Sequence, residues 1–483
     1  MRKLLLILCL VPFFSFGQNI EWLKTNQTIA YEDIAIDNYD GMYLLSSTHT
    51  FVDTAFIGDT TIINNSHQII KYDTNGVFLW ARGVNFPFGN YNVSISVDGD
   101  NLYVYGSFDT SLEVNGNLFN TISNAIYGFI IKYNIYGNYI STKIIESRLG
   151  LCYIKDLNII DNEVYILGEG GGAFTINNST YQLLYNDSLH TTGFVLKLDS
   201  NNIIWGSSFY ANSSGAQPYK NCLYVDKVTK RITIIAAIGL SDSLYFNGQF
   251  QDSINGSFVL ELNDNGSLNW IYNLNYSNYK DIIHNTTEIL IADDETVIVL
   301  DSNGLLIKQH VFSSTGIGNY PPKVFRFTKD NNSCYMLGFA YTDNATLNNV
   351  SIPINLNNRL FVAKYEYDTI IDFKYYGSTA VHLTPYSFEV KNNSYYIHSS
   401  KLIFTDSVFI INNDTIPHSS HMLFKASNNS ILNVVDFDIL GNTTNKKLLK
   451  TIDILGRETK PKKNILLFYT YSDGTVKKQI IIE

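Results

Sequence analysis

The chain has few of the residues that organise several other protein classes. It contains nine prolines and four cysteines among 483 residues, and only 16% of its residues are charged. Scarce proline argues against Pro-rich linkers. Once Cys9 in the N-terminal segment is set aside, the remaining three, Cys152, Cys222 and Cys334, are too few for a disulfide framework, so we expect buried apolar thiols. The net charge of −10, without a Lys/Arg-rich patch before the C-terminus, argues against nucleic acid as a partner.

Helical patterns are also missing, whereas strand-forming residues are abundant. No long stretch repeats its apolar residues with the 3.6-residue period of an amphipathic helix. Hydrophobic residues make up 45% of the chain, with 34 tyrosines and 29 phenylalanines, which is ample material for a large core. The composition therefore predicts an all-β protein.

The N-terminus, "MRKLLLILCLVPFFSFGQ", has the order of a secretory signal peptide. A short basic start precedes an apolar run at residues 4–14, and Ser15 and Gly17 supply small residues before a cleavage site. We expect cleavage between Gly17 and Gln18. The apolar run is too short to span a bilayer, and no later segment has the length and apolarity to do so.

A repeat dominates the rest of the chain. The stretch "HQIIKYDTNGVFLW" at 67–80 returns as "SFVLELNDNGSLNW" at 257–270, and five further copies share its pattern. The copies are spaced by 61 to 65 residues, apart from one interval of 38. The central position of the seven copies is occupied by Lys71, Lys132, Lys197, Glu261, Val299, Lys364 and Lys425.

Each repeat contains four candidate strands. An alternating stretch such as "YNVSISVDG" comes first, an apolar run such as "NLYVYGSF" second, the Lys stretch third and a Trp-type stretch fourth. One four-stranded sheet cannot cover both of its own faces, so seven such units predict a β-propeller. The Trp-type stretch occurs eight times and the other stretches seven times, which leaves open how the ring closes.

The contracted fifth unit is predicted to be a complete blade. It keeps an apolar strand, "TEILIADD", and a third strand, "VIVLDSNG", joined by a tight turn at 293–295. Its missing part is the small loop insert that other units carry, for example "VNGNLF" and "INNDTI". We therefore expect seven blades and a notch at the fifth, where a ligand could bind.

The repeat pattern resembles the seven-bladed propeller repeats of secreted bacterial proteins. The last forty residues differ in composition, with clustered lysines and a final apolar strand, and they resemble the C-terminal sorting domain of type IX secretion in Bacteroidetes. The matching residues are Ile452, Asp453, Leu455, Gly456, Arg457, Tyr469, Asp473, Gly474, Lys477 and Lys478. That resemblance implies export through the type IX machinery, removal of the module, and release or attachment to surface lipopolysaccharide.

The full expectation is an all-β chain in three parts. Residues 1–17 form the signal peptide, residues 18–437 the seven-bladed β-propeller, and residues 438–483 a small antiparallel, β-sandwich-like sorting module. The localisation that follows is secreted or at the cell surface, reached through the periplasm.

Motifs for chemistry are scarce. No H-E-x-x-H, G-x-S-x-G or metal-spaced Cys/His set occurs, so we predict no catalytic, cofactor-binding or metal-binding residues. "GEGGGA" at 168–173 fits a dinucleotide pattern but is not followed by a helix, which that site requires. The Asp/Asn-Gly turns are typical of hairpins, with calcium loops as the alternative.

The sequence therefore favours a non-catalytic binding or adhesion propeller whose polysaccharide or protein ligand it does not identify. The alternative is a propeller hydrolase or lyase that acts on extracellular polysaccharide. A cluster of carboxylates or histidines facing the central channel would favour the enzyme.

Overall fold

The structure, a computed structural model, describes most of the chain between residues 19 and 480. The residues it does not describe are 1–18, 27–28, 49–53, 58–59, 64–66, 86–89, 123–124, 148–149, 178, 184–190, 200–201, 213–214, 240–241, 275–278, 286, 315–320, 332, 341–344, 349, 352–359, 367, 377–381, 403–408, 412–413, 417–420, 428–447, 454–456, 458, 460–465, 472–475 and 481–483. The predicted boundaries at 17/18 and 437/438 both lie outside the described residues.

Seven antiparallel sheets form the main body, and four neighbouring strands of each are here called blades 1 to 7. In blades 2, 3 and 5 a hairpin of the following blade adds two more strands to the sheet. We name the strands of each blade a to d, from the channel outwards. In that order the blades contain Ile29–Ile36, Met42–Thr48, His67–Tyr72 and Phe78–Val84 (blade 1); Asn90–Asp98, Asn101–Phe108, Tyr127–Asn134 and Tyr139–Ser147 (blade 2); Cys152–Ile160, Glu163–Gly170, Thr192–Leu198 and Ile203–Ala211 (blade 3); Gln217–Val225, Ile232–Ala237, Ser257–Leu262 and Leu268–Asn273 (blade 4); Asp281–His284, Glu288–Ala292, Thr296–Asp301 and Leu306–Ser314 (blade 5); Lys323–Asp330, Ser333–Phe339, Leu360–Glu366 and Thr369–Tyr376 (blade 6); and His382–Lys391, Ser394–Leu402, His421–Ser427 and Asn19–Asn26 (blade 7).

The blades form a closed ring. Strand a of each blade contacts strand a of the next, and strand a of blade 7 contacts strand a of blade 1. This arrangement confirms the predicted seven-bladed β-propeller.

An N-terminal strand closes the ring, which the sequence left open. Asn19–Asn26 serves as strand d of blade 7, where it pairs antiparallel with His421–Ser427. One of the eight Trp-type stretches therefore belongs to the last blade, although it comes first in the chain. The ring is fastened by hydrogen bonds between its two ends.

Blade 5 is complete, as predicted. Its strands b and c are joined directly by residues 293–295, while the other six blades carry a small hairpin in this connection. The hairpins are Thr54–Ile57 with Thr60–Ile63, Ser111–Val114 with Asn117–Asn120, Ala173–Ile176 with Ser179–Gln182, Asp242–Phe246 with Gln249–Ile254, Ala345–Leu347 with Val350–Ser351, and Phe409–Ile411 with Asp414–Ile416. We call this side of the ring the hairpin face, and the side with the a–b and c–d turns the turn face.

Apolar residues of strands b and c lie between neighbouring blades. Tyr43 and Leu45 of blade 1 belong to the same buried cluster as Val104 and Phe129 of blade 2. Strands that are covered on both faces need nearly continuous apolar sequences, which is the pattern of the repeat. The predicted burial of the thiols is confirmed, since Cys152, Cys222 and Cys334 are all buried and free.

The repeated Asn-Gly and Trp positions form a joint between blades. Gly304, in the c–d turn of blade 5, lies against the indole of Trp270 on strand d of blade 4, and a Cβ at this glycine would come within 2.5 Å of the ring. Its φ of +78° also requires glycine. The same joint is formed by Gly137 on Trp80 and by Gly266 on Trp205.

Gly304→Ala should destabilise the propeller more than Gly116→Ala. Both glycines have nearly equal φ values, +78° and +76°, but nothing lies within 4 Å of a Cβ at Gly116. The backbone term of about 1 kcal/mol is therefore shared, and overlap with Trp270 should add about 1–3 kcal/mol for Gly304→Ala alone. Urea unfolding of the two variants measures the difference, and equal losses would contradict the joint.

Residues near the C-terminus form a separate three-stranded antiparallel sheet. Its strands are Leu448–Asp453, Leu466–Tyr471 and Val476–Ile480, with the second in the middle. This is the antiparallel β module that the sequence predicted for the tail.

Candidate functional site

In five blades a lysine on strand c lies opposite a tyrosine on strand b. In blade 1, Lys71 Nζ donates to Tyr43 Oη at 2.6 Å and to the carbonyl oxygen of Ile135, in blade 2, at 2.9 Å. The buried ammonium therefore ties two blades together on the turn face. The five pairs are Tyr43–Lys71, Tyr103–Lys132, Tyr165–Lys197, Tyr335–Lys364 and Tyr396–Lys425.

Blade 4 departs from this pattern. Glu261 replaces the lysine, and Thr233 replaces the tyrosine opposite it. Asn269 occupies a bulge that holds exposed aliphatic residues in four other blades, namely Leu79, Ile140, Ile204 and Ile307. In blade 7 the same bulge holds Glu21, which pairs with Lys425.

The strands a of blades 5 and 6 depart as well. His284 and Lys329 occupy one equivalent position near the end of strand a. Each pairs with the residue of strand b that comes just before the position of the tyrosine. The same position is aliphatic in the other five blades, where it holds Ile36, Val97, Ile159, Val225 and Val390. Two polar residues thus replace apolar ones next to the departures in blade 4.

The polar residues of blades 4, 5 and 6 that depart from the repeat lie in or beside one pocket on the turn face, between blades 4 and 5. The pocket has a volume of about 440 Å³, and its wall includes Tyr224, Asp226, Arg231, Glu261, His284, Glu288, Ser302 and Lys329. It does not coincide with the notch that we expected on the hairpin face of blade 5. The groove that the Tyr–Lys pair fills between blades 1 and 2 is here open.

Glu261 is buried in the pocket wall and held by several donors. Its Oε1 accepts hydrogen bonds from Asn269 Nδ2 at 2.7 Å and Trp270 Nε1 at 3.1 Å, and Arg231 Nη1 lies 3.4 Å away. Burial raises the pKa of this carboxyl, although the donors oppose the shift. Asn269, the bulge residue, is therefore polar because its amide group donates a hydrogen bond to Glu261.

His284 forms the floor of the pocket as a neutral side chain. Its ring stacks on Tyr224 with centroids 4.2 Å apart, and Nε2 lies 2.8 Å from Thr233 Oγ1. Burial lowers the pKa of His284 to about 3, and the charges of Lys329 and Arg231 lower it further against the opposing charge of Asp226. Lys329 Nζ also donates to the carbonyl oxygen of His284 at 3.1 Å.

Several carboxyl groups lie on the a strands, which surround the channel. Instead of forming a cluster in the channel, three of them each accept a hydrogen bond from the backbone of the next blade. Asp156, on strand a of blade 3, accepts from Leu223 N in blade 4 at 2.9 Å, and Asp281 of blade 5 accepts from Phe327 N in blade 6 at 2.8 Å. Asp33 of blade 1 accepts from Ile95 N of blade 2 at 3.3 Å. A repeated Asp thus satisfies the backbone where strand a is bulged or begins.

Other candidate residues lie apart. His310 and His398 are buried on blades 5 and 7, and among the described residues no group of three or more His, Cys, Asp or Glu side chains could hold a metal ion. Gly168 of "GEGGGA" lies on strand b of blade 3, where a Cβ would meet the Phe194 ring, and the strand Ala173–Ile176 follows it. In the sequence "HSSH" at 418–421, a candidate metal-binding pair of histidines, residues 418–420 are outside the described residues, and only the backbone of His421 is described.

The predicted sorting residues are divided among the tail strands and undescribed segments. Ile452 and Asp453 lie on the first strand, Tyr469 on the second, Lys477 and Lys478 on the third, and Arg457 is exposed. Outside the described residues are Leu455, Gly456, Asp473 and Gly474, together with Gly17 and Gln18 of the cleavage site. In the described part of the chain, no helix is long and apolar enough to cross a membrane.

Sequence comparisons find limited similarity. No protein-family model matches the chain. An uncharacterized WD repeat-containing protein of Acanthamoeba polyphaga mimivirus is 33% identical over 129 residues, a match that covers 23% of this chain and 9% of the viral protein. The chain thus spans less than a tenth of that relative's length.

Comparison with solved structures finds matches at low identity. The quinohemoprotein alcohol dehydrogenase from Comamonas testosteroni is 9% identical, with 90% of this chain and 79% of that chain covered and a TM-score of 0.44. A catalytically inactive virginiamycin B lyase from Staphylococcus aureus with quinupristin is 7% identical, with coverages of 83% and 99% and a TM-score of 0.44. The assignment of the propeller rests on the strand pairing of this chain.

Asp281→Asn should flatten the pH dependence of propeller stability. Burial raises the pKa of Asp281 to about 7, against the opposing charge of Arg326, whereas an unfolded aspartate has a pKa of about 3.9. Its contribution to stability is therefore full below pH 4 and is lost as the pH rises towards 7, with a fall of about 2 kcal/mol between pH 5 and 8.

Urea unfolding of the wild type and Asp281→Asn at pH 5 and 8 measures this loss. Asp301→Asn is a control, because Asp301 lies at the end of strand c of blade 5 and hydrogen bonds from Leu305 and Asn303 hold its pKa low. An unchanged pH dependence in Asp281→Asn would show that this carboxyl is ionised throughout.

Proposed function

We propose that this protein is a secreted, surface-associated binding propeller that holds its ligand in the turn-face pocket between blades 4 and 5. One observation carries the proposal: Thr233, Glu261, Asn269, His284 and Lys329 all break the repeat, and all lie in or beside this pocket. The repeat exists to pack blades, so residues that depart from it together serve another purpose. A polar pocket of about 440 Å³ is the size of a small-molecule site.

The second candidate is a hydrolase or lyase that acts on extracellular polysaccharide. The observation in its favour is the raised pKa of channel carboxyls, which burial brings to about 6 in Asp156 and about 7 in Glu389. Raised carboxyl pKa values suit a general acid. Asp156, however, accepts hydrogen bonds from Leu157 N and Leu223 N, which supports a role in joining blades.

Export by the type IX machinery is the second part of the proposal. Its support is the match of the tail residues Ile452 to Lys478 to the sorting-domain pattern. The three-stranded sheet at 448–480 is compatible with such a module. The mature protein, beginning at Gln18, would then be released or attached to surface lipopolysaccharide.

A variant that restores the repeat should abolish ligand binding and keep the fold. In Thr233→Tyr/Glu261→Lys/His284→Val, blade 4 regains the Tyr–Lys pair and blade 5 an aliphatic residue, so the pocket should be filled as the groove between blades 1 and 2 is. Wild type and variant are compared on an array of extracellular polysaccharides, with polysaccharide turnover measured in parallel. Circular dichroism checks folding.

Binding that survives in the folded variant would contradict the pocket as the site. Turnover by the wild type would favour the enzyme instead. In that case Asp156→Asn and Glu389→Gln would locate the chemistry in the channel.

Deletion of residues 446–483 should trap the protein in the periplasm while the propeller still folds. Every strand of the seven blades lies within residues 19–427, so the deletion removes none of them. Cell fractionation of the full chain and the truncated chain measures delivery, and limited proteolysis checks the propeller. Normal surface delivery of the truncated chain would refute sorting by the tail.

A further inference from the structure

The carboxylates of the pocket are already engaged by the protein. Glu261 accepts from Asn269 and Trp270. Asp226 Oδ1 accepts from the backbone N–H groups of Val228 and Thr229 at 3.0 and 2.6 Å and from Thr229 Oγ1 at 2.8 Å. The hydroxyl of Tyr365 bonds Glu288. Each of these three carboxylates therefore has at least one acceptor site occupied within the fold.

Three cations line the pocket, namely Lys227, Arg231 and Lys329, and the last two are held by the protein through only some of their N–H groups. Arg231 directs Nη1 towards Glu261 and the carbonyl oxygen of Ser302, both at 3.4 Å, and its side chain is 39% exposed. The other guanidinium N–H groups have no partner in the described part of the chain. Lys329 uses one of its three N–H bonds on the His284 carbonyl. Both cations are close enough to His284 to lower its pKa.

We infer that the ligand is an acidic saccharide, and that Arg231 and Lys329 bind the carboxylate of a uronic acid unit. This inference rests on the proposed function. Guanidinium and ammonium groups with spare donors recognise carboxylates through charge-assisted hydrogen bonds. The donors that Arg231 and Lys329 leave unused call for acceptors on the ligand, and a carboxylate supplies them.

The remaining wall of the pocket favours a sugar over an acidic peptide. Among the described residues that line it, Val228 and Ile289 are aliphatic and Tyr224 is aromatic, whereas the others are polar or charged. Thr287, Asn285 and the neutral imidazole of His284 offer uncharged groups that can both donate and accept, as hydroxyl groups do.

The charge of the whole chain makes the local cations necessary. The formal net charge is −10, so the overall field opposes an anionic ligand. Binding of an anion must therefore depend on the cations of the pocket wall at short range, and these are Arg231, Lys329 and Lys227. Affinity for an acidic saccharide should fall as salt concentration rises.

Isothermal titration calorimetry of the full chain tests the inference. The ligands are trigalacturonate, an alginate trisaccharide and a hyaluronate tetrasaccharide, with neutral galactotriose and pentaglutamate as comparison ligands. We expect at least one acidic saccharide to bind. We expect Arg231→Gln and Lys329→Gln each to weaken that binding by about tenfold or more.

Two variants sharpen the result. Arg231→Lys keeps the charge but loses the planar fork, so it should fall between the wild type and Arg231→Gln. Lys308→Gln removes a lysine of blade 5 that pairs with Asp368 away from the pocket, and it should bind as the wild type does.

The outcomes separate this inference from the proposed function. Failure of all three acidic saccharides, or binding that Arg231→Gln and Lys329→Gln leave unchanged, overturns the inference. Binding of pentaglutamate alone also overturns it. If galactotriose binds and the repeat-restoring variant abolishes its binding, the proposed function stands and the acidic ligand is wrong.

Discussion

A four-stranded antiparallel sheet with two apolar faces cannot exist alone in water, and the rest of this structure follows from that constraint. Strands b and c are apolar on both sides, so each blade must be covered by two neighbours. A ring meets this requirement for every blade and leaves no apolar end. The indole of Trp270 under Gly304 shows how closely the neighbours approach, because there is no space for a methyl group.

Polar groups between blades are tolerated only where a neighbour satisfies them. The ammonium of Lys71 is buried because it donates hydrogen bonds to the carboxylate of Asp37, to Tyr43 and to the Ile135 carbonyl. Asp281 is buried beside a backbone N–H of blade 6. An unpartnered charge at such a position would cost several kcal/mol. The turn-face pocket is the place where the repeat no longer supplies these partners, and the exposed guanidinium of Arg231 is the result.

The sequence predicted the fold well because the same pattern of apolar strands, which must be covered on both faces, occurs seven times. The apolar strands, the Asn-Gly turns and the complete fifth blade could all be read from one copy compared with the others. Glu261 and Val299 were visible as exceptions at the lysine position. No pattern in the sequence explained what the lysine does, because its partners lie on other strands.

The pocket could not be predicted for the same physical reason. Thr233, His284 and Lys329 are about fifty residues apart, and only strand register shows that they occupy equivalent or adjoining positions. The site could have been found from the sequence by aligning the seven copies strand by strand, including the first strand of each. Ring closure could not be read from the repeat for another reason, because Asn19–Asn26 pairs with a strand about 400 residues away in the sequence.

That pairing has a mechanical consequence. In the antiparallel register of blade 7, Asn19 lies opposite Ser427, so the two ends of the propeller leave the ring at the same point. Tension between these ends would load the hydrogen bonds of the pair one after another, as in a zipper, instead of shearing them all together. The pairing therefore resists such a pull weakly, because only the hydrogen bonds nearest the two ends carry the load at any moment. A propeller tethered at one end carries no such force, whereas one held at both ends would come apart first at blade 7.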